Sequence, residues 1–454
     1  MESIKKALDA FANALKIEDL RKKILFTLAV LILYRVGGHI AIPGIDPKRL
    51  ADFFAQNSNN LWGLYDAFTG GAFAKATIFA LGIMPYITAS IAIQLMGSVI
   101  PTIQMLQKEG MEGRAKLNQW TRYFTVILAA LQSWGISVWL SNIRVSVDGL
   151  QGASVLLDSF NSGAGNIGFR LLATLTMTTG TVFIMYLGEQ ITARGIGNGI
   201  SLIIFAGIVA NLPLAVTREW EQFMAGNSPL MTEILIIGVV VAIITFIVFM
   251  EQAIRRIPLQ SPRRVVGRKV MGGQSSYLPF KVNTAGVIPV IFASSIMFVP
   301  AMLASWAPNI QWVQGFATAF LPGHITYSVI FGVLIVFFAY FYTAIQYNPS
   351  DIADNLKKSG GFIPGIRPGR KTAEYVDHIL TRITLPGAIF LALIGVVPLH
   401  LKDALNMQFY IGGTSVLIVV GVALDTLRQI EAQLHTKNYE GFLKHGRIRG
   451  RMAS

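Results

Sequence analysis

Stretches rich in Leu, Ile, Val, Phe and Ala recur along the chain without Asp, Glu, Lys or Arg, and clusters of charge separate them. A helix crossing a hydrocarbon core needs about 20 mostly apolar residues, fewer where flanking side chains reach the interface. Ten candidates emerge: Ile24–Pro43, Ala76–Ile100, Tyr123–Ile143, Leu171–Leu187, Gly199–Thr217, Ile234–Met250, Gly286–Ser305, Ile325–Tyr347, Ile383–Leu399 and Tyr410–Leu424. Between Lys281 and Asp351 lie 69 residues without a charge, enough for two spans, with Ala307-Pro308-Asn309 and Leu321-Pro322-Gly323 as breakers between them. In lipid every backbone N–H and C=O must be bonded internally, so such spans are helices. The pattern predicts an all-α polytopic membrane protein.

Composition agrees. Hydrophobic residues make up 53% of the 454 and charged residues 14%, against about 25% charged in a soluble domain. The mean hydropathy is +0.54. Cysteine is absent, which excludes disulfides, zinc–thiolate sites, iron–sulfur clusters and cysteine nucleophiles. The stretch Ile4–Leu20 is amphipathic, and the apolar segment after it has no small-residue cleavage site, so no cleavable signal peptide is expected.

The net charge of +14 would suggest nucleic acid as a partner in a soluble protein. Its placement favours a membrane reading. With ten spans both termini share a side, and the connections on that side hold 30 of the Lys and Arg residues against seven opposite. By the positive-inside rule both termini are cytosolic. Two basic connections, 251–281 and 348–382, are longer than a helix link needs. In the second, Pro364, Pro368 and several glycines would fix a shape presenting Arg367, Arg370 and Lys371.

Catalytic and metal sites are not expected. The six histidines lie at span ends or in loops without metal-ligand spacing, and no span carries a carboxylate pair. Arg35 is the one charged residue inside a span. Gly365–Thr372 and Gly195–Ser201 are glycine-rich but lack the spacing or strand context of a phosphate loop.

Several strings together resemble the SecY family of translocon channel subunits: IPGID (Ile42–Asp46), FTGGAF (Phe68–Phe73), IFALGIMPYITASI (Ile78–Ile91), GEQITARGIGNGIS (Gly188–Ser201), KVNTAGVIPVIFASSI (Lys281–Ile296), FYTA (Phe341–Ala344), NPSDIADNLKKSGGFIPGIRPG (Asn348–Gly369) and FYIGGTSVLIVV (Phe409–Val420). The resemblance implies ten helices in two pseudo-symmetric halves, spans one to five (24–217) and six to ten (218–430), around an hourglass pore. The amphipathic segment 1–23 and the basic tail 431–454 flank them on the cytosolic side. The implied location is the cell inner membrane.

At the waist the family places a ring of aliphatic side chains, which falls here on Ile83, Ile87, Ile200, Ile204, Ile291 and Ile418. Stiff β-branched residues suit a constriction of fixed width, although isoleucine in a membrane helix often faces lipid or a neighbouring helix. The short segment 61–73 corresponds to the plug, with Leu61, Trp62, Leu64, Tyr65, Phe68, Gly70 and Gly71. Spans two and seven form the lateral gate, where Thr88, Gln94, Asn283, Ser294 and Ser295 could hydrogen-bond across the interface. Arg367, with Arg268, Lys269, Arg370 and Lys371, falls on loops that dock the SecA ATPase or the ribosome. The other implied partners are the small subunits SecE and SecG, signal-sequence-bearing preproteins and membrane lipid, with no cofactor. The rival readings are a small-solute secondary transporter with a polar midplane site and an intramembrane protease.

Overall fold

The computed structural model describes residues 17–445 except 57–64, 67–68, 148–149, 158–159, 161–162, 227–228, 261–263, 267–268, 272–274, 307–314, 316–319, 321–323 and 405–411. In chain order the helices are α1 (Glu18–Gly37), α2 (Pro47–Gln56), α3 (Met84–Val99), α4 (Pro101–Lys108), α5 (Met111–Asn142), α6 (Gly163–Arg194), α7 (Gly199–Met224) and α8 (Leu230–Gln252). They continue with α9 (Ile288–Trp306), α10 (Ile325–Gln346), α11 (Pro349–Lys358), α12 (Arg370–Ala404) and α13 (Gly413–His445). Every sequence-predicted span falls on one of these. Among the described residues seven helices, α5, α6, α7, α8, α10, α12 and α13, are long and apolar enough to cross a membrane. The pair α3 and α4, bent by 105° at Pro101, would supply an eighth.

The first two spans depart most from expectation. Helix α1 starts at Glu18 and stops at Gly37; beyond it Ile42 and Ile78 donate backbone bonds to Ala76 and Ile40, both at 2.9 Å. The second span is helical only from Met84. Positive φ angles at Gly82 (55°) and Ala76 (41°) are incompatible with a right-handed helix through that stretch. At its far end Ile100 is extended (φ −96°, ψ 115°), as a residue before proline prefers, and this turns the chain into α4.

Helices α1, α3, α5, α6 and α7 make one half, and α8, α9, α10, α12 and α13 the other. The halves meet along two seams. On one, α9 packs on α3 and α5; on the other, α13 packs on α7. The second seam is reinforced at the basic face by a small apolar cluster of Leu20, Ile24, Ile196, Ile430 and Leu434. There the Gly197 N–H also donates to Gln429 Oε1 at 3.0 Å.

Three two-stranded antiparallel ladders, all in connections between helices, complete the fold. Strands β1 (Arg144–Val147) and β2 (Leu150–Ser154) follow α5. Strands β3 (Ile254–Gln260), β4 (Arg264–Val266), β5 (Lys269–Met271) and β6 (Ser275–Lys281) form an arm between α8 and α9, paired from Ile254↔Lys281 to Gln260↔Ser275. Gln260 and Phe362 exchange backbone bonds at 2.9 Å, tying the arm to the second long connection. Ile257, Phe280, Ile363, Val376 and Leu380 bury a common core beneath them. The two connections read separately from sequence thus form one folded unit.

Candidate functional site

The six ring isoleucines sit close to helix starts. Ile83 is the N-cap residue of α3, and Ile87 donates its N–H back to the Ile83 carbonyl at 3.1 Å. Ile200 and Ile204 occupy the first turns of α7, whose start is fixed by Asn198: its side-chain oxygen accepts the N–H groups of Ile200 (3.1 Å) and Ser201 (3.3 Å), a standard N-cap. Ile291 and Ile418 lie near the starts of α9 and α13. Ile83, Ile87, Ile204 and Ile418 are buried in the main apolar core of the protein, and Ile200 and Ile291 are partly buried against it. Two helices from each half contribute.

Of the plug residues, Tyr65, Gly70 and Gly71 are placed; Leu61, Trp62, Leu64 and Phe68 lie outside the described residues. Tyr65 is buried, its hydroxyl donates to the Leu81 carbonyl at 2.9 Å, and its ring meets Phe298 of α9 edge-on with centroids 5.1 Å apart. Burial pushes the Tyr65 phenol above its usual pKa. Gly70 (φ 69°) and Gly71 (φ 83°) turn the chain back, a conformation that costs glycine little. Next to Tyr65, Asp66 accepts the Ala74 N–H at 2.7 Å.

At the gate the structure gives a different bonding from the one imagined across the interface. The hydroxyls of Thr88, Ser294 and Ser295 donate to Met84, Val290 and Ile291 carbonyls at 3.0, 2.8 and 2.9 Å, each four residues back in its own helix. Gln94 Nε2 donates to Ser90 Oγ at 3.1 Å, also within α3. A membrane helix offers those carbonyls at no conformational cost, so short hydroxyls take them. Thr88, Ser294 and Ser295 thus direct their hydroxyls along their own helices and not across the α3–α9 seam.

Asn283 takes part in a buried polar group that the sequence reading missed. Its Nδ2 donates to Glu251 Oε1 at 2.5 Å and to the Gly286 carbonyl at 3.2 Å. Arg428 Nη2 donates to the Glu251 carbonyl at 3.1 Å, and Asp425 lies 3.6 Å from Arg428 and 3.9 Å from Lys281. Thr284 and Thr343 hydroxyls meet at 3.0 Å. A carboxylate placed one residue beyond the span Ile234–Met250 was the available signal.

On the arm unit, Arg367, Arg370 and Lys371 are exposed. Arg370 pairs with Glu374 at 3.1 Å, while Arg367 and Lys371 line a groove of about 570 Å³ with Glu374, Tyr375 and His378. Lys269 sits on β5 opposite Val266, and Arg268 lies outside the described residues.

A family model described as SecY matches residues 77–427. This chain belongs to the SecY family. The SecY match runs from Thr77 into the first half of α13, taking in the four helices that carry the ring positions and the arm unit. Relatives named protein translocase subunit SecY extend it to nearly the whole chain. The one from Streptomyces scabiei is 47% identical over 96% of this chain and 100% of its own length. Those from Pseudomonas aeruginosa and Escherichia coli K12 are each 45% identical, over 98% and 95% of this chain and 97% and 96% of their own. Two solved structures share the fold across 92% of this chain and 94% of theirs. One is described as a protein-conducting channel (TM-score 0.64, 18% identity) and the other as Sec61 in a canine ribosome–channel complex from the endoplasmic reticulum (TM-score 0.60, 17%).

Proposed function

We propose that this multi-pass membrane protein is the channel subunit of a translocon, conducting unfolded secretory polypeptides across the inner membrane and releasing signal sequences and membrane segments sideways into lipid. It is a conduit and not an enzyme. The observation that supports the reading is a SecY-family fold in which the six isoleucines lie near the starts of four helices, two from each half, and belong to or pack against its main apolar core. An aliphatic collar sheds water when empty and offers a passing chain nothing to hold it. Residues 65–71 act as the returning end of the plug that seats against it.

The α3–α9 seam is the lateral gate. With these hydroxyls satisfied internally, it parts without breaking their hydrogen bonds, and an apolar signal segment replaces like with like. The α7–α13 seam, tied by the basic-face cluster, is the hinge. The charge asymmetry of 30 to seven supports cytosolic termini and puts the arm unit where a driving partner works. Arg367 and its groove receive SecA or the ribosome, a role consistent with the ribosome-bound Sec61 neighbour, and SecE and SecG complete the membrane assembly. A solute carrier would need polar coordination where the isoleucines lie.

The test is a secretory chain stalled in transit, with a photoreactive probe at Ile87 or Ile291. Adducts between the stalled chain and both positions are expected. Their absence, with transport otherwise intact, would overturn the conduit reading.

A further inference from the structure

The channel reading gives no part to Arg35, the one charged side chain within a sequence-predicted span. It lies partly buried in the last turn of α1, where an unused guanidinium is costly to keep. Its Nη1 donates to the Gly70 carbonyl at 3.0 Å, and its own carbonyl is engaged by His39 Nδ1 at 2.9 Å. The turn it grips has little slack. A Cβ on Gly70 would lie 2.7 Å from Gly207 Cα of α7 and 3.0 Å from the guanidinium. A Cβ on Gly71 would meet Asn211 Oδ1, also of α7, at 3.3 Å. Tyr34, beside Arg35, points its hydroxyl at the Thr69 carbonyl at 3.5 Å. The turn 69–71 is thus wedged between α1 and α7 of one half, whereas Tyr65, four residues earlier, rests on Phe298 of α9 in the other.

We infer that Arg35 is the positioning residue for the plug, clamping its return turn so that the plug pivots on residues 69–71 when the gate helix moves away. This rests on the plug reading above. When α9 leaves, the Tyr65–Phe298 contact goes with it. The Arg35–Gly70 bond joins elements of the same half and stays. A charged donor to a carbonyl is stronger than a neutral one where water is scarce, so the pivot outlasts the opening and the plug returns to the same seat.

The chain has no cysteine, so Ala72→Cys gives a single reporter at a buried site, Ala72 being 3% exposed. With the full chain in its complex in proteoliposomes, labelling by a membrane-impermeant maleimide and resting ion leak are both read. Arg35→Gln is expected to raise leak and labelling roughly tenfold, the scale of a lost charge-assisted bond, with complex assembly unchanged. Arg35→Lys, which still offers a charged donor, is expected to restore most of the seal. Equal leak in the Lys and Gln variants, or no rise in either, overturns the clamp. Should Arg35→Gln fail to assemble, the Lys variant decides, since a sealed, unlabelled channel supports the clamp and a leaky one refutes it. A stalled preprotein in the parent background separates the two ideas: if it does not raise Ala72→Cys labelling, the plug reading itself fails.

Discussion

Asp66 sits where the plug segment turns back, its carboxylate accepting the Ala74 N–H at 2.7 Å. Burial pushes its pKa from 3.8 up to about 6, against the opposing pull of the Ala74 and Phe73 amides, Lys75 and the Thr69 hydroxyl. The sign follows from proton counting. Once the segment leaves its seat, the carboxyl ionises near 3.8; seated, it holds its proton to about 6. The seated state therefore binds more protons in that window. Its advantage is complete below the lower value and is lost as pH rises through the upper one. Resting ion leak is expected to climb as the outer-face pH is raised from about 4 to about 7, measured in planar bilayers. Asp66→Asn keeps an acceptor for Ala74 and removes the charge, so its leak should be low and level across that range. A level profile in the parent would refute the assignment. The isoleucine positions could be matched from motif strings, but the partner of each hydroxyl could not. Thr88, Ser294 and Ser295 choose between a neighbour across the seam and a carbonyl four residues back by side-chain rotamer, which no linear pattern records.

At the scale of elements, each hydrophobic run fell on a helix because the bilayer fixes the length of a span, although among the described residues seven helices, or eight with the bent pair, are long and apolar enough to cross. The runs did not locate helix ends. Charged first turns let α5 and α12, and a charged C-terminal stretch lets α13, run well past their apolar segments, and positive φ at Ala76 and Gly82 shortened the second helix. The arm was the largest surprise, since strand pairing joins residues far apart and its register depends on a partner sequence alone cannot choose. Its stability rests on few side chains. Ile257, 2% exposed, packs with Phe280, Ile363, Val376 and Leu380, and Ile257→Ala removes about 2–5 kcal/mol of local packing. The expected result is faster protease cleavage within 254–281 and 348–369, with the membrane helices still protected. Equal cleavage of parent and variant would mean the two connections hold together without this core.

For the whole molecule, the question is how a load on the basic face reaches the gate. The arm unit is rooted in α8, α9, α10 and α12, four of the five long helices of one half. Strand β6 runs through residues 282–287 straight into gate helix α9. That link is held on several sides: Asn283 to Glu251 of α8, Thr284 to Thr343 of α10, and Val282 so close to Gly387 of α12 that a Cβ there would lie 2.5 Å from its carbonyl oxygen. On the proposed reading a push on the arm moves the half as a body and carries α9 with it, while the Gly197–Gln429 bond holds the α7–α13 seam. In that same reading Arg367, exposed at the groove, is the handle. Reversing its charge with Arg367→Glu should lower SecA-driven transport about tenfold, the scale of a lost charged contact at a docking surface. Membrane insertion and assembly should stay intact, because the side chain is exposed at the groove. Transport at parent levels would show that the driving partner engages the half elsewhere. A parallel loss of assembly would place Arg367 in the fold of the arm and not at its working surface.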